Sequence, residues 1–208
     1  MTYEALYDEL YTNGYHEGSI CHTKPLINEH LSKIVPVGSK ILDVGCSTGN
    51  ALQLLSGLGY VATGVDISKV AVKKCVSRGF NALYGKVESI PIPSRAVAAV
   101  TCTDVLEHVP RDMIDIAVRE ICRVCIHDGY IMLQVATVTE GNRSFDGIAS
   151  KHGLKDLHVT CMSADEWLDV FNRWNLQVCH MNVQSTGFST VLRNKINTSK
   201  LYYFNNRS

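Results

Sequence analysis

Two aspartates, Asp43 and Asp66, bracket the stretch of this chain best equipped for chemistry. The segment 40–66, KILDVGCSTGNALQLLSGLGYVATGVD, reads as a buried strand, a Gly-rich turn, a helix and a second strand that ends on an acid. In an open parallel sheet, ligands bind outside the carboxyl ends of the strands, where the winding reverses. The turn after the first strand is therefore the default site. A nicotinamide or flavin dinucleotide calls for G-x-G-x-x-G. Counting from Gly45, Ser47 and Asn50 occupy the other two glycine positions, and Asp43 would set a negative charge beside the pyrophosphate. A P-loop needs a Lys-Ser/Thr pair after the turn, and none follows. An acid at the turn and a second at the next strand end suit a ligand with a positive group and a ribose diol, because a carboxylate accepts strong, charge-assisted hydrogen bonds from vicinal hydroxyls. S-adenosylmethionine offers an ammonium, a sulfonium and a ribose.

The elements that must position these acids can be read from periodicity. Tyr3, Leu6, Tyr7, Leu10 and Tyr11 fall at helical spacing. A second helix is expected over 22–35, with Pro25 in its first turn and Pro36 and Gly38 after its end. Strands are expected over 40–44, 60–65, 81–84, 96–102 and 130–135, the last entered through a turn at Asp128-Gly129. Helices are expected over 49–58, 68–78 and 111–124. Ser163 is placed to cap a helix reaching about Trp174. Strands over 176–183 and 188–193, joined by a short Gly-containing connection, close the sheet antiparallel. This alternation predicts an α/β fold: a doubly wound, seven-stranded, mostly parallel Rossmann-like sheet with an antiparallel last strand and helices on both faces. Residues 136–162 interrupt the pattern with a polar, His-rich stretch long enough for a lid or binding loop. One domain is expected over 1–208: a helical lid (1–35), a core (36–193) containing the 136–162 loop, and a polar tail (194–208).

Composition narrows the function. The 208 residues carry no formal net charge, with 46% hydrophobic and 19% charged residues. That describes a globular chain without the basic field by which a dedicated nucleic-acid binder releases counterions. No window approaches the apolar length of a membrane span. The first twenty residues hold acids and tyrosines without an apolar run, so no signal peptide and a cytosolic location are expected. The eight cysteines are scattered, several inside apolar elements, as buried thiols in a reducing compartment would be. Cys122 and Cys125 form a single C-x-x-C at a helix end with no second pair, which reads as structural rather than as zinc or redox chemistry.

Several motifs now converge. The stretch ILDVGCSTG resembles the first motif of the class I S-adenosylmethionine-dependent methyltransferases, commonly LDVGCGTG. ATGVDIS resembles their ribose-binding segment, KVESIPIP the segment after strand three, DVLEHV that after strand four, and CRVCIHDGYIMLQV their passage into strand five. The resemblance covers about residues 36–193 and points to the small-molecule branch. It implies S-adenosylmethionine as cofactor. It further implies that Gly45, Cys46 and Gly49 underlie the methionine and ribose, that Asp43 reaches the ammonium, and that Asp66 takes the ribose hydroxyls. Ile67 would pack on the adenine, Val87 and Glu88 would flank its edge, and Asp104 and Val105 would lie beside the sulfonium, with Tyr15 in the segment that closes over it. Two departures stand out. Ser47 replaces the middle glycine, a small change in size. Lys86 stands where an aspartate often accepts from the adenine amino group.

What is methylated turns on a base. An alcohol must lose its proton as the methyl arrives, which requires a positioned acceptor. His108, His152 and His158 are the candidates that the resemblance brings toward the acceptor, and Asp156 could orient His158. His16 beside Tyr15 is a further candidate. Each has a plainer reading as a cap, a solvated loop residue or a structural contact. Glu107–His108 resembles a metal-assisted site of some quinone-type O-methyltransferases, but further carboxylates close by in sequence are wanting, and no metal is assigned. The absence of an Asn-Pro-Pro-Tyr-like tetrapeptide after strand four argues against base or glutamine amide methylation. O-methylation of a polar small molecule or a sugar or glycan hydroxyl is the expectation, by a monomer or homodimer. An N-methyltransferase of a small amine and a non-catalytic cofactor-binding relative are the alternatives.

Overall fold

The structure, a computed structural model, describes residues 2–15, 21, 23–137, 157–183 and 187–195. Helix α1 (Tyr3–Thr12) begins where Thr2 accepts a hydrogen bond from the Ala5 N–H. Helix α2 covers 24–34, with Pro25 in its first turn and a π-type turn at Ile27–Leu31 in its middle. Pro25 is tolerated there because a first-turn N–H has no helical partner to lose. The sheet follows from β1 (Lys40–Val44), β2 (Val61–Asp66), β3 (Ala82–Tyr84), β4 (Val97–Thr103), β5 (Cys125–Ala136), β6 (Leu176–Val183) and β7 (Gly187–Asn194). Between them lie α3 (Asn50–Gly57), α4 (Lys69–Ser77), α5 (Ile114–Val124) and α6 (Ala164–Arg173).

The strand order is β3-β2-β1-β4-β5-β7-β6, parallel except for β7, which runs antiparallel to both β5 and β6. This is the doubly wound sheet expected from the alternation. The winding reverses between β1 and β4, so the carboxyl ends of β1, β2 and β4 open onto one crevice. The central strands are apolar on both faces because each face is covered. Leu42, Val44, Val100 and Leu133 pack toward α5 and α6 in one cluster. Ile41, Ala99 and Met132 pack toward α2 and α3 in the other.

One strand differs from expectation. β5 begins at Cys125, and the Asp128-Gly129 turn is a bulge inside it. Val97 pairs with Cys125 and Ala99 with Tyr130, so the strand carries extra residues at this point. Asp128 absorbs them at φ +61°. Helix α5 ends directly into this strand. Cys122 and Cys125 are both buried and unoxidised at that junction, and burial pushes the Cys125 thiol up to about 12. The C-x-x-C therefore packs rather than reacts.

Helix α6 starts with a full capping box: Ser163 accepts from the Glu166 N–H while Glu166 accepts from the Ser163 N–H. It buries Trp167 and Phe171 against Phe188 of β7. Between its start and β5, Thr137 and Met162 form an isolated bridge. Residues 157–162 are thereby brought back beside the end of β4.

Candidate functional site

Asp43 stands at the end of β1, almost wholly buried, and its Oδ1 accepts from the Thr101 hydroxyl at 2.6 Å. Asp66 ends the neighbouring β2. Its Oδ2 accepts from the Ser47 N–H at 2.8 Å and its Oδ1 from the Ser68 N–H at 2.9 Å. Burial lifts the Asp43 carboxyl to about 7, and the Asp66 charge adds to the rise. Burial also lifts Asp66 to about 6, against the lowering effect of its two N–H donors. Two carboxylates held away from water in one crevice are a strong lure for a cation.

The Gly-rich turn explains its own glycines. Gly45 has φ +74°, and a Cβ there would lie 2.2 Å from Val105 Cγ2. Gly49, at φ +93°, would meet Cys75 Sγ at 2.8 Å. Ser47, between them, also adopts a left-handed conformation, at φ +52°. The usual glycine at that position thus answers to backbone geometry as much as to size. Serine tolerates it while its N–H is held by Asp66.

These residues open onto a cavity of about 250 Å³. Asp43, Gly45, Cys46, Asp66, Ile67, Val87, Glu88, Asp104, Val105, Tyr15 and His108 all line it. Gly49 does not; it sits at the start of α3 and closes the turn from behind. Asp104, at φ +55°, is pinned by its N–H to the Gln134 carbonyl and by the Gln134 amide to its Oδ1 at 3.1 Å. Lys86 lines the cavity too, where it pairs with Glu4 of α1. The residue that departs from the usual aspartate thus meets the N-terminal helix.

The histidine end of the crevice is assembled from distant segments. His108 lies in the 3₁₀ turn Leu106–His108 after β4, and its Nδ1 sits 2.9 Å from the Leu157 carbonyl. A carbonyl can only accept, so Nδ1 carries the proton and the neutral ring keeps its lone pair on Nε2. The His158 ring stands edge-on to His108 at 4.8 Å between centroids. His158 is not among the cavity-lining residues and backs His108 instead. Glu107, 1% exposed, accepts from the Ala136 N–H through Oε1, while its Oε2 has no hydrogen-bond partner among the described residues. Burial and the Asp104 charge raise Glu107 to about 7, and His158 pulls it down. Donor atoms of Glu107, His108 and His158 lie within 4.8 Å of one another, a mixed N/O set of the kind that can hold a divalent cation. Further hydrogen bonds from Thr160 to Glu107 and Val109 lock the two segments together.

Asp156, His152 and His16 lie outside the described residues. Other lining residues escaped the sequence reading: Tyr3, Tyr7 and Tyr11 along α1, and Thr23 and Thr103, whose hydroxyls meet at 2.8 Å. The tyrosines had a signal, since Tyr3, Tyr7, Tyr11 and Tyr15 recur every four residues. Glu107, which the sequence set beside His108, does not line the cavity and lies buried behind it.

Fold and crevice together define an α/β protein with an acidic, glycine-floored cavity at the topological switch point of its sheet. Residues 42–133 match the family model described as "Methyltransferase domain". The ubiquinone biosynthesis O-methyltransferase of Albidiferax ferrireducens is 33% identical over 95 residues, which cover 41% of this chain and 38% of that protein. The probable tRNA methyltransferase 9B of Bos taurus is 25% identical over 169 residues, covering 78% of this chain and 31% of its own length. The chain spans well under half the length of these curated relatives. Among solved structures, the [4+2]-cyclase SpnF has a TM-score of 0.73 at 16% identity, covering 93% of this chain and 95% of its own. A Haloferax volcanii putative methyltransferase complexed with the Trm112 activator has a TM-score of 0.72 at 16% identity, covering 91% of this chain and 98% of the matched chain. Residues 42–133 are thus similar to a methyltransferase domain, and the sheet has the class I S-adenosylmethionine-dependent methyltransferase fold. S-adenosylmethionine is the cofactor of such domains, and the crevice fits it: two buried carboxylates face a ligand that brings an ammonium, a sulfonium and a ribose diol.

Proposed function

We propose that this chain methylates a hydroxyl group of a polar small molecule or sugar, with His108 as the base. The observation that carries the reading is the Nδ1 contact of His108 to the Leu157 carbonyl, which sets the basic nitrogen of a cavity-lining ring as Nε2. S-adenosylmethionine supplies an electrophilic methyl group on a sulfonium. Asp66 would hold its ribose hydroxyls and Asp43 its ammonium. Ile67, Val87 and Glu88 would enclose the adenine, and Asp104 and Val105 would flank the methionine. The protein's remaining work is to hold the acceptor oxygen in line and to take its proton. Such positioning is worth roughly 7–11 kcal/mol in ideal cases.

His108 Nε2 would accept the hydroxyl proton, and His158 and Glu107 would support the imidazolium from behind. An imidazolium next to a buried carboxylate is stabilised by charge that water cannot screen. A purely regulatory role makes no use of this buried carboxylate–histidine arrangement, and an amine that arrives neutral needs it less than a hydroxyl does. The similarity to the ubiquinone biosynthesis enzymes supports a hydroxyl acceptor. The longer alignment with the bovine tRNA enzyme favours an acceptor carried on RNA as the second reading, and the zero formal net charge weighs against it.

The test is transfer of labelled methyl from S-adenosylmethionine to panels of phenols, sugars, amines and bulk tRNA, with calorimetry against S-adenosylhomocysteine alongside. Labelled hydroxyl products that vanish in His108→Ala support the reading. Labelled amines with His108→Ala still active, or binding without transfer to any class, would overturn it.

A further inference from the structure

Helix α1 has two working faces. Leu6 and Leu10 pack against Leu157. Tyr3, Tyr7 and Tyr11, one per turn, line the cavity. Polar contacts also hold the helix there. Oδ1 of Asp8 accepts from the Ser68 hydroxyl at 2.6 Å and from the Val70 N–H at 3.1 Å. It thus adds a carboxylate to the N-terminus of α4, where backbone N–H groups lack helical partners and the dipole favours an anion. The Lys74 ammonium donates to the Tyr11 carbonyl at 2.6 Å, and Lys86 pairs with Glu4.

The anchorage point bears directly on the crevice. Ser68, which Asp8 holds by its side chain, donates its backbone N–H to Asp66 Oδ1, and Asp66 Oδ2 takes the Ser47 N–H of the Gly-rich turn. One chain of hydrogen bonds therefore runs from α1, through the start of α4, to the ribose-side acid and into the turn. Asp8 and Asp66 lie on either side of a single serine and repel each other. Each carboxylate takes two donors, and loss of either set would let Ser68 and Asp66 shift together.

We propose that Asp8 is a cofactor-positioning residue and that α1 is a latched roof: its engagement with Ser68 and Val70 fixes Asp66 and holds the tyrosine stripe over the bound cofactor. Retention of the cofactor then depends on a residue that does not line the cavity. The proposal rests on the cofactor reading of the crevice.

The experiment measures S-adenosylhomocysteine affinity and dissociation rate for the wild type, Asp8→Ala and Asp8→Asn, with thermal melting of each. Asp8→Ala is expected to weaken binding about tenfold, mainly through faster dissociation, because the competent closed state loses population. Asparagine can still accept from both donors, so Asp8→Asn should fall between the two. A merely structural Asp8 would lower the melting temperature and leave affinity and dissociation at wild-type values where all proteins are folded; that result overturns the proposal alone. If Asp8→Ala fails to fold, Asp8→Asn decides: an intermediate dissociation rate supports the latch, and a wild-type rate overturns it. Failure of the wild type to bind would remove the cofactor reading and the proposal with it.

Discussion

The two ends of the crevice are built differently. The cofactor end comes from a continuous stretch: Asp43, the turn, α3 and Asp66 follow one another in the chain and are registered by β1–β2 pairing, Asp43 opposite Gly64. The histidine end joins the turn after β4 to residues 157–160 through contacts such as His108 to Leu157 and Thr160 to Glu107. Local construction makes the first end rigid and its sequence signature strong. The proposed function divides binding and chemistry between these two ends, and substitutions there test that division.

The largest effect is expected at the histidine end. His108→Ala should lower kcat about 100- to 10,000-fold while leaving S-adenosylhomocysteine affinity near wild type, as loss of a general base does. A parallel loss of affinity, measured by calorimetry, would mean the two ends are not separable. Gly45→Ala should do the reverse, removing measurable cofactor binding. Its Cβ would collide with Val105 Cγ2 in a backbone region that costs about 1–2 kcal/mol for an L-residue. Wild-type affinity in that variant would contradict the packing described for the turn.

A pH series sharpens the contrast further. Asp43 and Asp66 are raised to about 7 and about 6 in the unliganded cavity. Cofactor affinity should therefore fall as pH drops from 8 to 5.5, because protonation removes the charges that hold a cationic ligand. The stability effect has the opposite sign. Groups with a raised folded pKa bind protons more tightly in the native state, so their stabilising contribution is present at low pH and is lost as pH rises through 6 to 7. The melting-temperature increase caused by S-adenosylhomocysteine should thus be larger at pH 8 than at pH 6. The smallest effect is reserved for Lys86→Gln. Its ion pair with Glu4 is partly exposed, so cofactor affinity should change by no more than about threefold.

Much of the fold was legible because burial on both faces, glycine punctuation and caps are local signals. Strand β1 over Lys40–Val44, the Ser163 cap and the antiparallel closing pair follow directly from them. The bulge at Asp128 was not legible, since a turn and a bulge share the same Asp-Gly chemistry and differ only in how the partner strand pairs. The same limit governed the site. Asp43, Gly45 and Asp66 announce themselves by type and spacing. The Glu107–His108–His158 grouping does not, because His158 lies 50 residues beyond His108 in the chain, and long-range contacts such as the Thr137–Met162 bridge, the Thr160 hydrogen bonds and the His108–Leu157 contact bring the two segments to one place.

The order of residues alone dictates that a parallel sheet presents two acids and a Gly-rich turn at neighbouring strand ends. Strand length, side-chain alternation and φ preference are properties of short stretches of chain. It took the packing of the whole chain to set Ser47 left-handed under Asp66, to bring Lys86 to Glu4, and to hang α1 by Asp8 from Ser68, two residues beyond Asp66. Those outcomes depend on which surfaces are packed together, and that is settled by the whole core rather than by any one segment.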